Sequence, residues 1–442
     1  MNINLESAVD FLKQHPKLVA AEDYELTCQR SQNRFSHFKN GESISESRNS
    51  FGWVQIRVLL RKRLGVATTV FCNEKDLNSM IDKAFELAEH TAVDPWFRFP
   101  LWKPEASIGK DQTLESTTEV SAEPNFFESL FSRLTIQPVG LEERYLEQQD
   151  SRIITRKTEK LIRSNSGRFQ RFQLGVVNQG MSGFYRIEES RGFSHPFKSK
   201  EPFLEALMRR SNRLTQAKTV NSAPSGKYIL NGLVVTTLLK SIEALLNGSS
   251  AVIGKSKASQ WIGRQIFSDK VSIVDNGLYL GGEGYQEFDF EGSSSQETRL
   301  IENGILKTFF HDASSAARYN RASTANLVLN ENNIPAVGIT NCYLLPSNHS
   351  LRDLFKEMED GIYLECLDKW GKELTRDGKL GLLGHGWRVE KGEPVEPLSQ
   401  LFITVDPVEI FKEVTLVAND LEFWGRYGAP SVFLEKMPLS DI

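Results

Sequence analysis

The sequence contains few cysteines and few histidines. Its 442 residues include four cysteines and seven histidines. The cysteines form no Cys-x-x-Cys pair and are too few for a disulfide scaffold, which favours a reducing, cytoplasmic location. They are Cys28, Cys72, Cys342 and Cys366. No two histidines are closer in sequence than His15 and His37, so one helix cannot hold a zinc ion between histidines on adjoining turns.

Long hydrophobic runs and a strong excess of charge are also missing. The chain is 40% hydrophobic and 25% charged, with a net charge of −4. This composition excludes a mostly disordered chain and does not favour a nucleic-acid binder. No stretch approaches the roughly 18 apolar residues of a membrane span, and residues 1–17 lack the apolar core of a signal peptide. We therefore expect a cytoplasmic protein of two or three domains without membrane contact.

The first half shows a strand pattern followed by a helix pattern, and then both again. Residues 54–61 alternate between apolar and polar side chains except at Leu59, and the apolar residues of 75–90 fall on one helical face. A second strand pattern surrounds Phe172, and a second helix pattern runs from Phe203 to Met208. This order predicts a duplicated ββα unit, with coincidental hairpins in a sheet-rich domain as the alternative.

Residues 216–226 have the composition of a linker and mark the best domain boundary. We expect an N-terminal domain over 1–218 and a β-rich C-terminal domain over 219–442. The second domain begins with a strand at 227–230 and a helix near 232–246, and a further helix is expected at 351–360. Asn303-Gly304 between two apolar runs predicts a two-residue hairpin turn. The predicted fold class is α+β, with a large, mostly antiparallel, barrel-like sheet and few helices in the second domain.

Charge is distributed unevenly along the chain. Residues 151–218 contain 15 Lys and Arg against 5 Asp and Glu, so this stretch carries a formal charge of +10 within a chain of −4. Such a stretch can face nucleic acid or an acidic partner. A strand face with solvated cationic side chains is the favoured interpretation.

Common catalytic motifs do not match well. Gly254-Lys255-Ser256 lacks the spacing of a phosphate-binding loop, and Gly281-Gly282-Glu283-Gly284 lacks that of a dinucleotide loop. The sequence has no Gly-x-Ser-x-Gly motif. Asp275, Asp289 and Glu291 are close enough in sequence to act as an acid and base, although carboxylates near turns are more often turn formers.

The segment around two of these carboxylates is more specific. Asp289-Phe290-Glu291-Gly292, followed by Leu300-Ile301-Glu302-Asn303-Gly304-Ile305-Leu306-Lys307, resembles the hallmark of the TldD/PmbA family, D-[DF]-E-G followed by L-I-E-N-G-x-L-K. Further pieces of the family pattern occur in the same order along nearly the whole chain. They are Arg57 with Gly65, Asp94-Pro95, Ser323-Thr324 with Asn326, Thr340-Asn341, Asp360-Gly361-Ile362-Tyr363, Gly386-Trp387 and Asn419-Asp420-Leu421.

The resemblance implies zinc peptidase chemistry in one branch of the family and not in the other. TldD-like members carry H-E-x-x-x-H on the first helix of the C-terminal domain and a cysteine near the C-terminus. The similar helix here reads Lys240-Ser241-Ile242-Glu243-Ala244-Leu245, and residues 419–442 contain no cysteine. The chain therefore looks like a PmbA member, also called TldE, which lacks the metal.

The leading hypothesis is a PmbA-like subunit without metal or other cofactor, inactive on its own and with no catalytic residues. The resemblance implies an unstructured peptide, held by strand pairing in an enclosed cavity, and a dimer with a TldD-like protease or with a second copy. The residues expected to shape the cavity are Lys240, Glu243, Asp289, Glu291, Asn303, Thr340 and Asn341. Lys240 either places a fixed cation at the metal position or points to solvent.

Two alternatives remain open at this point. One is a self-sufficient, zinc-independent hydrolase that uses Asp289 and Glu291. The other is a modulator associated with gyrase or nucleic acid, an idea attached to the family's older name and supported only by the basic stretch.

Overall fold

The structure, a computed structural model, describes residues 5–40, 42–70, 73–100, 102, 140–157, 162–180, 183–193, 201–220, 223–252, 257–330, 334–374 and 379–440. Cys72 and the Gly254-Lys255-Ser256 segment lie outside these ranges.

The N-terminal part is built on one antiparallel sheet of six strands in the order β3-β2-β1-β4-β5-β6. The strands are β1 (Asp23–Lys39), β2 (Glu42–Leu60), β3 (Arg63–Val70), β4 (Gly140–Arg156), β5 (Ile162–Gly180) and β6 (Gly183–Phe193). Pairing of β1 with β4 joins the two halves of the sheet. Strand β3 covers only residues 53–60 of β2, so in the described part of the chain the outer edge of 42–52 pairs with no strand.

The expected duplication is present in this sheet. Helix α3 (Glu74–His90) follows β2 and β3 and packs on them, and helix α4 (Glu201–Thr215) packs on β5 and β6 in the same way. Each ββα unit is preceded by one further long strand, β1 or β4. Two short helices, α1 (Leu5–Lys13) and α2 (Pro16–Ala20), precede the first unit.

Gly65 allows the first helix to lie directly on the sheet. A Cβ atom at Gly65 would lie 1.9 Å from the carbonyl oxygen of Ala84 and 2.8 Å from the Cβ of Ala88, both on α3. Because no side chain fits in that space, β3 and α3 can approach closely only with glycine at this position.

Two sheets contain most of the described C-terminal strands, and β12 and β13 form a separate two-stranded sheet. A seven-stranded sheet has the order β18-β21-β8-β15-β16-β17-β7, and a second sheet of six strands has the order β11-β10-β9-β14-β20-β19. Strands β15 to β17 are long antiparallel neighbours, whereas β8 and β7 join the first sheet by parallel pairing. The strands, in chain order, are β7 (Lys218–Thr219), β8 (Tyr228–Leu230), β9 (Ile273–Asn276), β10 (Glu297–Glu302), β11 (Ile305–Leu306), β12 (Leu327–Leu329), β13 (Pro335–Val337), β14 (Cys342–Leu344), β15 (Gly361–Leu374), β16 (Leu380–Glu390), β17 (Glu393–Val405), β18 (Val414–Val417), β19 (Glu422–Trp424), β20 (Tyr427–Ala429) and β21 (Val432–Leu434).

The described helices of this part are short. They are α5 (Gly232–Ser241), α6 (Glu243–Leu246), α7 (Gly248–Val252), α8 (Ala313–Arg318), α9 (Leu351–Met358) and α10 (Pro407–Lys412). The largest hydrophobic core lies between the two sheets and includes the apolar side of α5. No helix in the described ranges is long and apolar enough to cross a membrane.

These elements confirm the predicted fold class, α+β with a curled, mostly antiparallel sheet. The hairpin at Asn303-Gly304 has positive φ at both residues, 48° and 77°, as a type I′ turn requires. Helix α9 lies where the sequence predicts it. The domain boundary near residue 218 remains a prediction, since β7 at 218–219 pairs with β17 of the C-terminal sheet.

Candidate functional site

The helix expected at 232–246 is divided into α5 and α6 at Ile242, whose φ is −95° and ψ is 1°. The hydroxyl of Ser241 donates to the carbonyl of Leu238 at 2.6 Å. A serine that bonds back to its own helix competes with the backbone ladder and bends the helix. The break lies within the segment that resembles the family's zinc motif.

Two predicted cavity residues flank this break. Lys240 lies in the last turn of α5, and its side chain is exposed. Of the two interpretations of this residue, the structure supports the one in which Lys240 points to solvent. Glu243 is half-buried at the start of α6 and accepts a hydrogen bond from the hydroxyl of Tyr427. Burial and the Glu243 carboxylate together raise the pKa of Tyr427 well above its ordinary value.

Tyr427 begins β20, and the hairpin β19–β20 packs against the start of α5. A Cβ atom at Gly232 would lie 2.3 Å from the carbonyl oxygen of Ala429. The backbone N–H of Cys342 donates to the carbonyl of Arg426 at 2.8 Å, which ties the hairpin turn to β14. Helix, hairpin and β14 therefore form one packed unit around Glu243.

Asp275 lies on β9, opposite Cys342 of β14, and its carboxylate is hydrogen-bonded. Its carboxylate accepts hydrogen bonds from Asn326 Nδ2 at 2.7 Å, Thr340 N at 2.9 Å and Thr340 Oγ1 at 2.7 Å. Burial raises the pKa of Asp275, and these donors oppose that effect. Thr340 thus acts here as a partner of a buried carboxylate.

Asn341 holds the glycine loop in place. Its Oδ1 accepts from the N–H of Gly284 at 2.8 Å, and its Nδ2 donates to the carbonyl of Asn276 at 3.0 Å. A Cβ atom at Gly282 would lie 2.2 Å from the same Oδ1. Asn303, by contrast, is an exposed turn residue whose N–H bonds to Ser272 Oγ at 2.9 Å.

Asp289 and Glu291 lie at the junction of the N-terminal sheet and the C-terminal part, and both are fully buried. Asp289 accepts hydrogen bonds from three backbone N–H groups, those of Glu291 at 2.8 Å, Ser293 at 2.9 Å and Leu327 at 3.2 Å. Burial raises the pKa of Asp289 to about 6. The Asp289 carboxylate therefore stabilises the loop in which it lies.

Glu291 reaches across the junction. One carboxylate oxygen lies 3.0 Å from Arg57 Nη2 and the other accepts from the N–H of Ala313 at 2.7 Å. Burial raises the pKa of Glu291 to about 8, with the Asp312, Asp289 and Glu25 carboxylates acting in the same direction and Arg57 in the opposite one.

Three arginines of the N-terminal sheet complete this junction. Arg57 bonds Glu25 at 3.0 Å, and Arg156 Nη2 lies 2.7 Å from the same carboxyl group. Arg152 donates to the carbonyl of Phe288 at 2.7 Å and lies over the ring of Phe290, 4.0 Å from its centroid. The hallmark Asp-Phe-Glu-Gly segment is therefore seated on a cationic, aromatic surface of the N-terminal sheet.

The basic stretch over 151–218 is largely paired within the molecule. Most of its described arginines contact acidic residues, many of them outside the stretch. The pairs are Arg156–Glu25, Arg171–Glu283, Arg186–Glu142, Arg186–Glu188, Arg191–Glu422, Arg209–Glu205, Arg210–Glu365 and Arg213–Glu365. The favoured interpretation of a solvated face fails for Arg156 and Arg191, whose side chains are buried, whereas Arg171, Arg209 and Arg213 are paired but exposed to solvent.

Zinc does not fit the residues at the family's metal position. Lys240, Ser241 and Leu245 offer no ligand set at the break between α5 and α6. Within the described ranges, no three His, Cys, Asp or Glu side chains are grouped so that they could hold a metal ion.

The sequence did not single out His311, which belongs to a buried polar network. Its Nδ1 lies 3.0 Å from Ser315 Oγ, and its backbone N–H donates to Thr324 Oγ1 at 2.6 Å. Burial lowers the pKa of His311 to about 4. No motif pointed to this residue, since it stands far from other histidines in sequence.

Comparison with known proteins places these features in a family. Residues 225–441 match the family described as PmbA/TldA metallopeptidase C-terminal domain. Residues 225–441 are thus a domain of the TldD/PmbA family. A metalloprotease of Methanocaldococcus jannaschii is 23% identical over 424 residues, which cover 93% of each chain. Metalloprotease PmbA of Escherichia coli O157:H7 is 23% identical over 411 residues, covering 90% of this chain and 88% of that one.

Solved structures share the fold over the whole length. A proposed modulator of a DNA gyrase from Thermotoga maritima superimposes with a TM-score of 0.86 at 18% identity, covering 99% of this chain and 100% of that one. TldE from Thermococcus kodakarensis gives a TM-score of 0.80 at 16% identity and covers 99% of both chains. At these identities the likeness establishes the TldD/PmbA fold alone.

Proposed function

We propose that the protein is the PmbA/TldE-like, non-metal subunit of a cytoplasmic peptidase dimer whose TldD-like partner carries zinc and cleaves unstructured peptides. The observation that carries this proposal is the break between α5 and α6. At this position Lys240 presents an exposed cation, Leu245 is apolar, and Glu243 is occupied by Tyr427. Neither an ammonium group nor an apolar leucine side chain can act as a ligand of a divalent cation.

The free edge of β2 supports a peptide as the substrate. Residues 42–51 are all exposed, and among the strands that the structure describes they pair with β1 alone. An unpaired strand edge presents N–H and C=O groups that an extended chain can bind with little regard to sequence. An unfolded segment can align along this edge without first giving up pairing of its own, and the proposed substrate is therefore such a segment.

The burial of the carboxylate pair disfavours a self-sufficient hydrolase. Asp289 and Glu291 are 0% exposed, and each carboxylate is bonded to backbone N–H groups or to Arg57. A general acid or base must reach the reacting atoms of its substrate. The internal pairing of the basic stretch likewise removes the main support for a nucleic-acid-binding modulator.

Purification from native cells tests the proposed partnership. We expect a chain of similar size with an H-E-x-x-x-H motif to copurify with this protein. The mixture should cleave an unstructured peptide, lose that activity with a chelator and regain it with zinc, whereas this protein alone should be inactive. A homodimer without such a chain, or chelator-resistant cleavage by this protein that is lost in Asp289→Asn, would contradict the proposal.

A further inference from the structure

Arg426 occupies the second position of the two-residue turn between β19 and β20. Trp424 pairs with Tyr427 across the turn, and Gly425 has a φ of 68°, which glycine adopts without strain. The carbonyl of Arg426 is bonded to the N–H of Cys342. The backbone that carries this side chain is therefore fixed on both sides.

The Arg426 guanidinium lacks the partners that the other arginines of this region have. Arg57, Arg156 and Arg191 each lie within 3.0 Å of a carboxylate oxygen. Among the residues that the structure describes, none accepts a hydrogen bond from the Arg426 side chain or forms an ion pair with it. Burial lowers the pKa of Arg426, so this charge is held where water solvates it poorly.

The two carboxylates whose charge acts on Arg426 accept hydrogen bonds from other residues. Asp275 accepts three hydrogen bonds from Asn326 and Thr340, and Glu243 accepts one from Tyr427. Arg171 is a second cation nearby, and its pKa is lowered by burial and by the charge of Arg426. Arg171 is paired with Glu283, whereas Arg426 has no carboxylate within ion-pair distance in the part of the chain that the structure describes.

The position of Arg426 is accessible. The residue is only partly buried, and its guanidinium nitrogens are not among the side-chain atoms that are sealed from solvent. A guanidinium offers a planar fork of donors that fits a carboxylate in a bidentate arrangement. A poorly solvated, accessible guanidinium without a partner therefore suits an incoming carboxylate.

We infer that Arg426 binds a carboxylate of the peptide substrate, which comes either from the peptide C-terminus or from an Asp or Glu side chain. This inference rests on the proposed peptide-binding function. Because the hairpin packs on α5, the site lies against the helix that bears Lys240 and next to Glu243. It would orient an extended peptide relative to the break between α5 and α6.

Three fluorescent peptides of one unstructured sequence test this inference on the full chain. The first has a free C-terminus and no acidic side chain, the second is amidated and has none, and the third is amidated with one internal Glu. We expect the unmodified protein to bind the second peptide about 10-fold or more weakly than the first or the third, since a charged hydrogen-bonded pair is lost. The peptide that binds tightly identifies the source of the carboxylate.

Variants then assign the effect to Arg426. In Arg426→Gln the preference for carboxylate peptides should disappear while binding of the neutral peptide is unchanged, and Arg426→Lys should keep part of the preference. Arg352→Gln, on the exposed face of α9, is the matched control and should behave as the unmodified protein. Circular dichroism checks folding; if Arg426→Gln does not fold, Arg426→Lys alone decides.

The outcomes separate this inference from the proposed function. The inference is overturned if the unmodified protein binds all three peptides equally. It is also overturned if the preference for carboxylate peptides survives in Arg426→Gln, or keeps its full strength in Arg426→Lys. These outcomes do not contradict the proposed function as a peptide-binding subunit. Binding of none of the peptides, by the chain or by its complex with the zinc protease, overturns both.

Discussion

Arg57 and Glu291 are 234 residues apart in the sequence, yet Nη2 of Arg57 lies 3.0 Å from Oε1 of Glu291. The other terminal nitrogen of the same guanidinium lies 3.0 Å from Glu25. One arginine of β2 therefore bridges a carboxylate of β1 and a carboxylate of the Asp-Phe-Glu-Gly segment. This bridge fixes the family's hallmark loop onto the N-terminal sheet.

Removing Arg57 should be costly because two buried carboxylates would lose their common partner. We expect Arg57→Met to lower the free energy of unfolding by about 3–5 kcal/mol, the usual cost of leaving a buried charge uncompensated. Urea denaturation provides the measurement. Arg48→Met, at an exposed position of the same strand, should change stability by less than about 0.5 kcal/mol. A loss below about 1 kcal/mol in Arg57→Met would show that the bridge does not hold the junction.

His311 should make stability depend on pH in the acidic range. Its pKa is lowered by burial to about 4, whereas an unfolded histidine titrates near 6.5. The unfolded state therefore binds more protons between these values, so stability is lost as the pH falls from about 6.5 to 4. The expected loss is roughly 3 kcal/mol.

The contribution of His311 is isolated by comparing the slope of unfolding free energy against pH in His311→Asn and in the unmodified chain. Asn retains a polar atom near Ser315 but does not titrate, so the slope between pH 6.5 and 4 should become flatter. His349→Asn, at an exposed position, is the control. Identical slopes in His311→Asn and the unmodified chain would rule out a buried neutral imidazole.

A single methyl group at Gly65 should disturb the first ββα unit. Its Cβ would lie 1.9 Å from the Ala84 carbonyl oxygen, so α3 must move away from β3. We expect Gly65→Ala to cost about 1–3 kcal/mol or more, as overpacking does. At Gly140 the nearest atom to an added Cβ is the Val177 Cβ at 3.8 Å, and Gly140→Ala should be tolerated. Equal stability of the two variants would contradict the close approach.

Adjacent prolines test the free edge of β2. Along an antiparallel strand, successive N–H groups point alternately to the two sides. Of Asn49→Pro and Ser50→Pro, one should therefore remove a hydrogen bond to β1 and lower stability. The other should weaken binding of an unstructured peptide several-fold while stability changes less. Peptide titrations and urea denaturation of both variants give the answer, and unchanged peptide binding in both would exclude this edge as the binding surface.

Local chemistry explains which parts of the fold could be predicted from the sequence. The alternation near 54–60 predicts a half-buried strand, and β2 contains these residues but is buried on both faces there, because Gln55 and Arg57 are covered as well. Asn303-Gly304 permits positive φ at two successive residues, which is the condition for the observed turn. By contrast, the exposed or half-buried residues over 32–35 of β1 show no clear alternation, and this strand is defined by its two neighbours in the sheet.

The site was less accessible to prediction because its contacts are long-range. The spacing of Asp289 and Glu291 suggested an acid–base pair, but it could not reveal that Arg57 and backbone N–H groups occupy their oxygens. Arg426 and Tyr427 match no motif, and their position beside Glu243 results from packing of a hairpin on α5. The family pattern identified the right segments without identifying their partners.

The central position of β1 constrains how the chain can be synthesised. Its second neighbour, β4, is made only after β2, β3 and α3 have been completed. A nascent chain that ends before residue 140 therefore displays one full edge of a 17-residue strand. Such an edge can pair with another nascent chain. The interval between synthesis of β1 and synthesis of β4 is therefore the period in which this edge is open to association with other chains.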